Sequence, residues 1–273
     1  MRFTTKQGLT GLARALGGAL LFAFPIVMTM ESWWLGFYLE RYRIALFIAV
    51  SVAFVVFLNH VSGFRSSPRR WQEDLIDAGE AYAVGFVLSL VLLWLFGVIA
   101  PGMPADRVLG QVGLLMVPCA FGAVIASKQL GEPAESNEDR KDEQRISYWE
   151  ELAVILAGAL YGAFTVSPTE EMLLIAYMAT PWLLLGLVVL SILLMHGFVY
   201  GMSFKGQAAA KGSFLSLFVR FTVTGYALAL LMSTYVLWTF GRLEGLDPGI
   251  ALQVIVVSAF PAAIGAAASR LVL

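Results

Sequence analysis

Apolar residues run along this chain in long unbroken stretches, with little alternation between apolar and polar positions. A helix needs about 20 mostly apolar residues to cross the hydrocarbon core of a bilayer. Eight stretches reach or approach that length, at roughly 14–38, 43–63, 75–99, 107–128, 150–167, 172–201, 214–240 and 250–271. Continuous runs predict helices and argue against a barrel, whose strands would alternate with period two. The sixth and seventh stretches are long enough to tilt, and the fifth is short and ends at Pro168. The first begins like a signal peptide, with Arg2 and Lys6 ahead of apolar residues. It continues past Trp33 and Trp34 without a cleavage site, so it reads as a permanent span. The one long hydrophilic stretch is GEPAESNEDRKDEQRIS at 131–147, a mixed-charge linker. The predicted organisation is therefore a first block of four spans in 1–130, a cytoplasmic linker over 131–149, and a second block of four in 150–273.

Composition excludes several classes. Hydrophobic residues make up 59% of the chain and charged residues 14%. A soluble domain holds about half and about a quarter respectively. So few charges cannot cover a water-facing surface, which rules out a soluble enzyme, a disordered chain and a nucleic-acid binder. A single cysteine, Cys119, excludes an intrachain disulfide and a cysteine-based metal site. Loop charges set an orientation. With the N-terminus inside, 14 of the 18 Lys and Arg residues fall on the cytoplasmic side, and only Arg41, Arg43, Arg107 and Arg242 fall outside. That bias predicts a multi-pass protein of the bacterial cytoplasmic membrane with both termini in the cytoplasm. Trp33, Trp34, Tyr38 and Tyr42 suit an outer aromatic belt, and Tyr148 and Trp149 an inner one.

The two blocks resemble each other. GALLFAF at 18–24 matches GALYGAF at 158–164, and Thr29 and Glu31 match Thr169 and Glu171, all at an offset of 140. WLFG at 94–97 matches WTFG at 238–241, and Tyr82 matches Tyr226, at an offset of 144. Gln111, Pro118, Gly122 and Ser127-Lys128 match Gln253, Pro261, Gly265 and Ser269-Arg270 at offsets of 142–143. The two histidines, His60 and His196, lie 136 apart. Each block has an even number of spans, so both start on the same side and are parallel repeats about an axis along the membrane normal. The expected fold is an all-α integral membrane protein, with eight transmembrane helices arranged as two parallel four-helix repeats.

The stretch FPIVMTMESWWLGFYLERYR, Phe24 to Arg43, resembles the signature of a bacterial family of integral membrane proteins of unknown function. Its MTMESWWLGF segment is the most specific part, and the similarity extends over most of the chain. The resemblance implies an integral membrane protein and no particular activity.

Candidate chemistry comes from the few ionisable residues near the spans, because a charge at that depth is costly unless it faces water or a partner. Glu31 and Glu171 occupy matching positions toward the outer side. They read either as a carboxylate pair that binds a cation or relays protons, or as interfacial groups that cap helices or pair with Arg41, Arg43 or Arg107. His60 and His196 lie toward the cytoplasmic ends of their spans. They suit proton relay or gating, bis-histidine haem ligation, or simple bonding to backbone and headgroups. Asp77 and Glu80 share a helix face near the cytoplasmic mouth, where the second repeat carries Arg220. They read as an inter-repeat ion pair, a gate, or no contact. Pro118 and Pro261 are expected to kink both fourth-type helices, while small-residue motifs such as Gly158 and Gly162 serve packing. No nucleotide-binding or nucleophile-elbow motif occurs.

The leading expectation is a channel or transporter that moves a small cation or protons along a pseudo-symmetric path. Glu31 and Glu171 form its outer site, and His60 and His196 its inner titratable pair. The alternatives are a scaffold or signalling module that binds a partner protein through the linker, and a haem-binding redox protein. The expected partners are the lipid bilayer and the transported ion, with no nucleic acid, no metal and no cofactor unless haem. A homo-oligomer is compatible with each reading.

Overall fold

The computed structural model describes residues 5–61, 71–129, 147–201 and 218–272. All regular structure among them is helical, as a bilayer demands of backbone that must satisfy its own hydrogen bonds. The helices fall into two compact units. Unit 1 holds α1 (Thr5–Val27), α2 (Met30–Tyr38), α3 (Arg41–Val61), α4 (Trp71–Leu95) and α5 (Ala105–Gln129). Unit 2 holds α6 (Tyr148–Val166), α7 (Glu171–Met178), α8 (Pro181–Gly201), α9 (Thr224–Thr239) and α10 (Pro248–Val272). A π-helical turn, Phe218–Val223, leads into α9. Among the described residues seven helices are long and apolar enough to cross a membrane, and an eighth span is counted if α1 and α2 form one bent crossing. Most of the predicted linker, 131–146, lies outside the described residues, as do Arg65, Arg69, Arg70, Lys205 and Lys211.

Two of the predicted spans are broken. The stretch expected over 14–38 is α1 and α2, bent by 79°. The stretch expected over 172–201 is α7 and α8, separated at Ala179 and Thr180. Each unit thus runs long, short, long, long, long. The breaks have local causes. The Thr29 hydroxyl donates to Ile26 O at 2.6 Å, and the Thr169 hydroxyl to Val166 O at 2.8 Å, so the same residue type ends the first helix of each unit. Thr29 itself is extended, with φ −82° and ψ 125°. The second break in unit 2 is reinforced by Pro181, which disfavours helix at the residue before it.

The WLFG and WTFG match marks a helix stop. Gly97 and Gly241 have φ of 72° and 70°, a conformation that suits glycine. Beside them Val98 N–H donates to Leu93 O, and Arg242 N–H to Leu237 O, each at 2.9 Å. Helix crossings match as well. A methyl group added at Gly18 would lie 2.6 Å from Gly122 O, and one at Gly122 would lie 2.7 Å from Gly18 O, so α1 and α5 meet backbone to backbone. In unit 2, Gly158 lies against Gly265 O and Ser269, and Gly265 against Gly158 O and Gly162. These contacts place Ala126 in the role of Ser269, an offset of 143. The alignment of Ser127-Lys128 with Ser269-Arg270 is thus one residue out of register. At the same offset Gln111 matches Val254, one residue beyond Gln253. Pro118 and Pro261 lie inside α5 and α10, and both helices continue through them.

Candidate functional site

The most polar buried site in unit 1 lies where α3 ends and α4 begins. The buried face of α4 carries Asp74, Ala78, Ala81, Gly85, Leu88 and Ser89, a spacing of three and four residues that presents one stripe to its neighbours. Asp74 is fully buried, in the first turn of the helix. Its Oδ2 lies 2.7 Å from His60 Nδ1, and the histidine side chain is 27% exposed. The His60 ring stacks on Trp71, with centroids 4.0 Å apart and planes 10° from parallel. Asn59 Nδ2 donates to Asp74 O at 3.5 Å. Burying a carboxylate is costly without a charged or hydrogen-bonded partner, and His60 supplies one.

Further along the same helix pair, Tyr82 OH donates to Ser51 Oγ at 2.7 Å, and Ser51 donates onward to Ile48 O at 2.8 Å. Ser89 Oγ lies 3.4 Å from Cys119 Sγ. In unit 2, His196 Nδ1 lies 3.0 Å from Thr222 Oγ1 and meets Phe218 edge-on. The Tyr226 hydroxyl faces Ser191, whose own proton goes to Leu187 O at 2.8 Å.

The two histidines occupy the same helix pair of their units but different turns. The offset that aligns α3 with α8 is 140, which sets His196 level with Val56 and His60 level with Tyr200. The match at 136 is therefore one helical turn out of register. The partner of His60 is also one that sequence reasoning passed over. Asp77 and Glu80 lie on the exposed face of α4, and of the four acids Glu73, Asp74, Asp77 and Glu80 only Asp74 shares the stripe of Ala78, Ala81 and Gly85. That small-residue spacing was the signal that singles it out.

The other candidates lie apart from this site. Glu31 is partly exposed in the first turn of α2, and Glu171 is exposed in the first turn of α7. Carboxylates there complement the helix dipole. Among the described residues neither side chain makes a hydrogen bond or ion pair. The nearby arginines are otherwise engaged. Arg41 donates to Gly36 O at 2.9 Å and lies 3.5 Å from Asp106, while Arg43 pairs with Glu40 at 3.1 Å. Arg107 sits over Phe37. Arg242 holds Pro168 O and approaches Glu170 at 3.8 Å. Arg220 lies 4.2 Å from the Tyr148 ring centre, and Tyr148 OH donates to Arg220 O at 3.3 Å. Asp77 and Glu80 belong to unit 1 and Arg220 to unit 2. Among the described residues no group of three or more His, Cys, Asp or Glu side chains is arranged to hold a metal ion.

The profile of a family described as "Putative integral membrane protein (DUF2391)" matches residues 11–273, nearly the whole chain. The chain belongs to that family. No curated protein and no solved structure matches it. Family membership and the run of apolar helices make it a multi-pass integral membrane protein whose outer faces contact lipid. In this family member the arrangement sets an imidazole, which can donate or accept a hydrogen bond, against a buried carboxylate. Hydroxyls can pass a proton on, because each both donates and accepts.

Proposed function

We propose that this protein moves a small cation or protons across the membrane, and that His60 and Asp74 form its titratable centre. The observation that carries the reading is the fully buried Asp74 carboxylate, 2.7 Å from His60. Ionisable groups within membrane helices are expensive, and they mark ion and proton pathways. On this reading the two units are parallel four-helix repeats, supported by their shared order of elements and by the matched Thr29/Thr169 and Gly97/Gly241 helix stops. The protein sits in the bacterial inner membrane with both termini in the cytoplasm, as the loop charges favour. Glu31 and Glu171 serve the outer side of their own units, and Asp77 and Glu80 in unit 1 and Arg220 in unit 2 the inner side of theirs.

Flux into proteoliposomes tests the reading. Wild-type protein is expected to dissipate an imposed ion or pH gradient. Asp74→Asn and His60→Gln should lower the rate. Glu31→Gln and Glu171→Gln should change the rate at low ion concentration more than at saturation. Wild-type liposomes no leakier than empty ones would refute the proposal.

A further inference from the structure

A carboxylate and an alcohol do different things to a neighbouring imidazole. His60 Nδ1 lies 2.7 Å from Asp74 Oδ2, and an ionised carboxylate only accepts, so Nδ1 carries the hydrogen of that bond. With one hydrogen on the ring, the lone pair is then on Nε2. His196 Nδ1 faces Thr222 Oγ1 at 3.0 Å, and a hydroxyl donates or accepts, so that contact selects neither nitrogen. Trp71 adds a second constraint in unit 1. It lies three residues before Asp74, on the same side of the first turn of α4, and its ring stacks on His60 at 4.0 Å with planes 10° from parallel. The indole fixes the plane of the imidazole, and the carboxylate fixes its rotation within that plane. Phe218 meets His196 edge-on instead, at 72°. Asn59 Nδ2 donates to Asp74 O at 3.5 Å and ties the end of α3 to the residue that supplies the carboxylate. The His60 side chain is 27% exposed, and its Nε2 is not buried and bonds no protein group among the described residues. His196 Nε2 is buried.

We infer that Asp74 and Trp71 present His60 Nε2 as a hydrogen-bond acceptor, and that this nitrogen is where the transported species docks. The inference rests on the transport reading above, and it narrows that species to one that offers a hydrogen, a hydronium or an ammonium ion. Alkali and alkaline-earth ions take a shell of several oxygens. Nε2 is a single nitrogen, and among the described residues no three His, Cys, Asp or Glu side chains converge to hold a metal ion. A hydronium ion gives its proton to Nε2 and leaves as water. An ammonium ion shares an N–H with Nε2 and keeps its proton. In either case the buried Asp74 carboxylate, one imidazole away, supplies the opposite charge. Asp74 and Trp71 are positioning residues here, since each acts on the docked species through the His60 ring.

The test begins with the nitrogen NMR spectrum of the full-length protein in liposomes. His60 and His196 are its two histidines, so isotope-labelled histidine gives two sets of ring signals, and His60→Gln assigns them. At about pH 9, above the ordinary range of imidazole, His60 should show the tautomer with its hydrogen on Nδ1. Asp74→Asn offers an N–H to the ring and should move that hydrogen to Nε2. Trp71→Leu should abolish the upfield ring-current shift of the His60 carbon-bound protons, and Trp71→Phe should keep part of it. Flux is read in the same liposomes with a trapped pH-sensitive dye and with methylammonium, sodium and rubidium tracers. Proton or methylammonium flux should fall roughly tenfold or more in Asp74→Asn, the scale of losing the partner that orients a histidine. Trp71→Leu should lower it and Trp71→Phe should restore it. Melting temperatures checked in detergent separate loss of flux from loss of fold. A wild-type His60 with its hydrogen on Nε2, or with both nitrogens protonated, would overturn the inference and leave the transport reading standing. So would sodium or rubidium flux that His60→Gln abolishes. A wild type that carries no ion would overturn the transport reading and the docking role together, while the spectrum still decides which nitrogen accepts.

Discussion

Units 1 and 2 lay out the same five elements and fill the third and fourth differently. Where α3 meets α4 the polar contact is ionisable on both sides, His60 with Asp74. Where α8 meets α9 it pairs a histidine with an alcohol, His196 with Thr222. The interior helix differs too. In α5, 78% of the apolar stretch is buried, against 44% in α10. The backbone plan tolerates both fillings because glycine crossings and helix stops carry it, and neither depends on the polar seam. The ionisable pair is thereby confined to unit 1.

The largest effect should come from the shared scaffold. Gly18→Val and Gly158→Val each drive a branched side chain into a carbonyl of the facing helix. Each should cost at least about 3 kcal/mol, read as lost monodisperse protein or a collapsed melting transition. Gly17→Ala and Gly186→Ala meet nothing within 4 Å and should be neutral or slightly stabilising. A Gly158 variant that tolerates valine while Gly18 does not would break the equivalence of the two crossings.

The histidines should separate the units at an intermediate scale. His60→Gln strips a buried carboxylate of its basic partner and should cost about 3 kcal/mol. His196→Gln disturbs the hydrogen bond to Thr222 within the membrane and should cost about 0.6 kcal/mol. Equal melting shifts would show that the ionisable and neutral pairs are energetically alike. The smallest effect is expected at the glutamates. With Glu31 partly exposed, Glu171 exposed and neither paired among the described residues, Glu31→Gln and Glu171→Gln should move the melting free energy by no more than about 0.5 kcal/mol. A larger loss at either would reveal a partner for that carboxylate.

Much of this frame was legible in the sequence. Apolar length located the helices, and the fixed offsets located Gly97 with Gly241 and Gly18 with Gly158, since helix stops and close crossings are imposed by local sterics. The break between α1 and α2 was not legible. No glycine or proline occupies Met28 or Thr29, and the turn depends on how a threonine hydroxyl competes for a carbonyl. The site was legible by residue type and missed by register. His60 was a candidate, but of four neighbouring acids only the burial of one face of α4 selects Asp74. The histidines lie 136 apart while the helices that carry them begin 140 apart, a difference that only helix boundaries expose.

The 79° bend between α1 and α2 has a mechanical consequence. With α1 upright, α2 lies nearly flat, and it exposes Trp34 and Tyr38, residues that hold to the headgroup layer. A segment moored in that layer acts as a float. When the bilayer thickens or thins, the float follows the surface while α1 keeps its length, so the displacement gathers at the joint of Met28 and Thr29. There the Thr29 hydroxyl, bonded to Ile26 O on α1 and 2.5 Å from Ser32 Oγ on α2, takes up the strain.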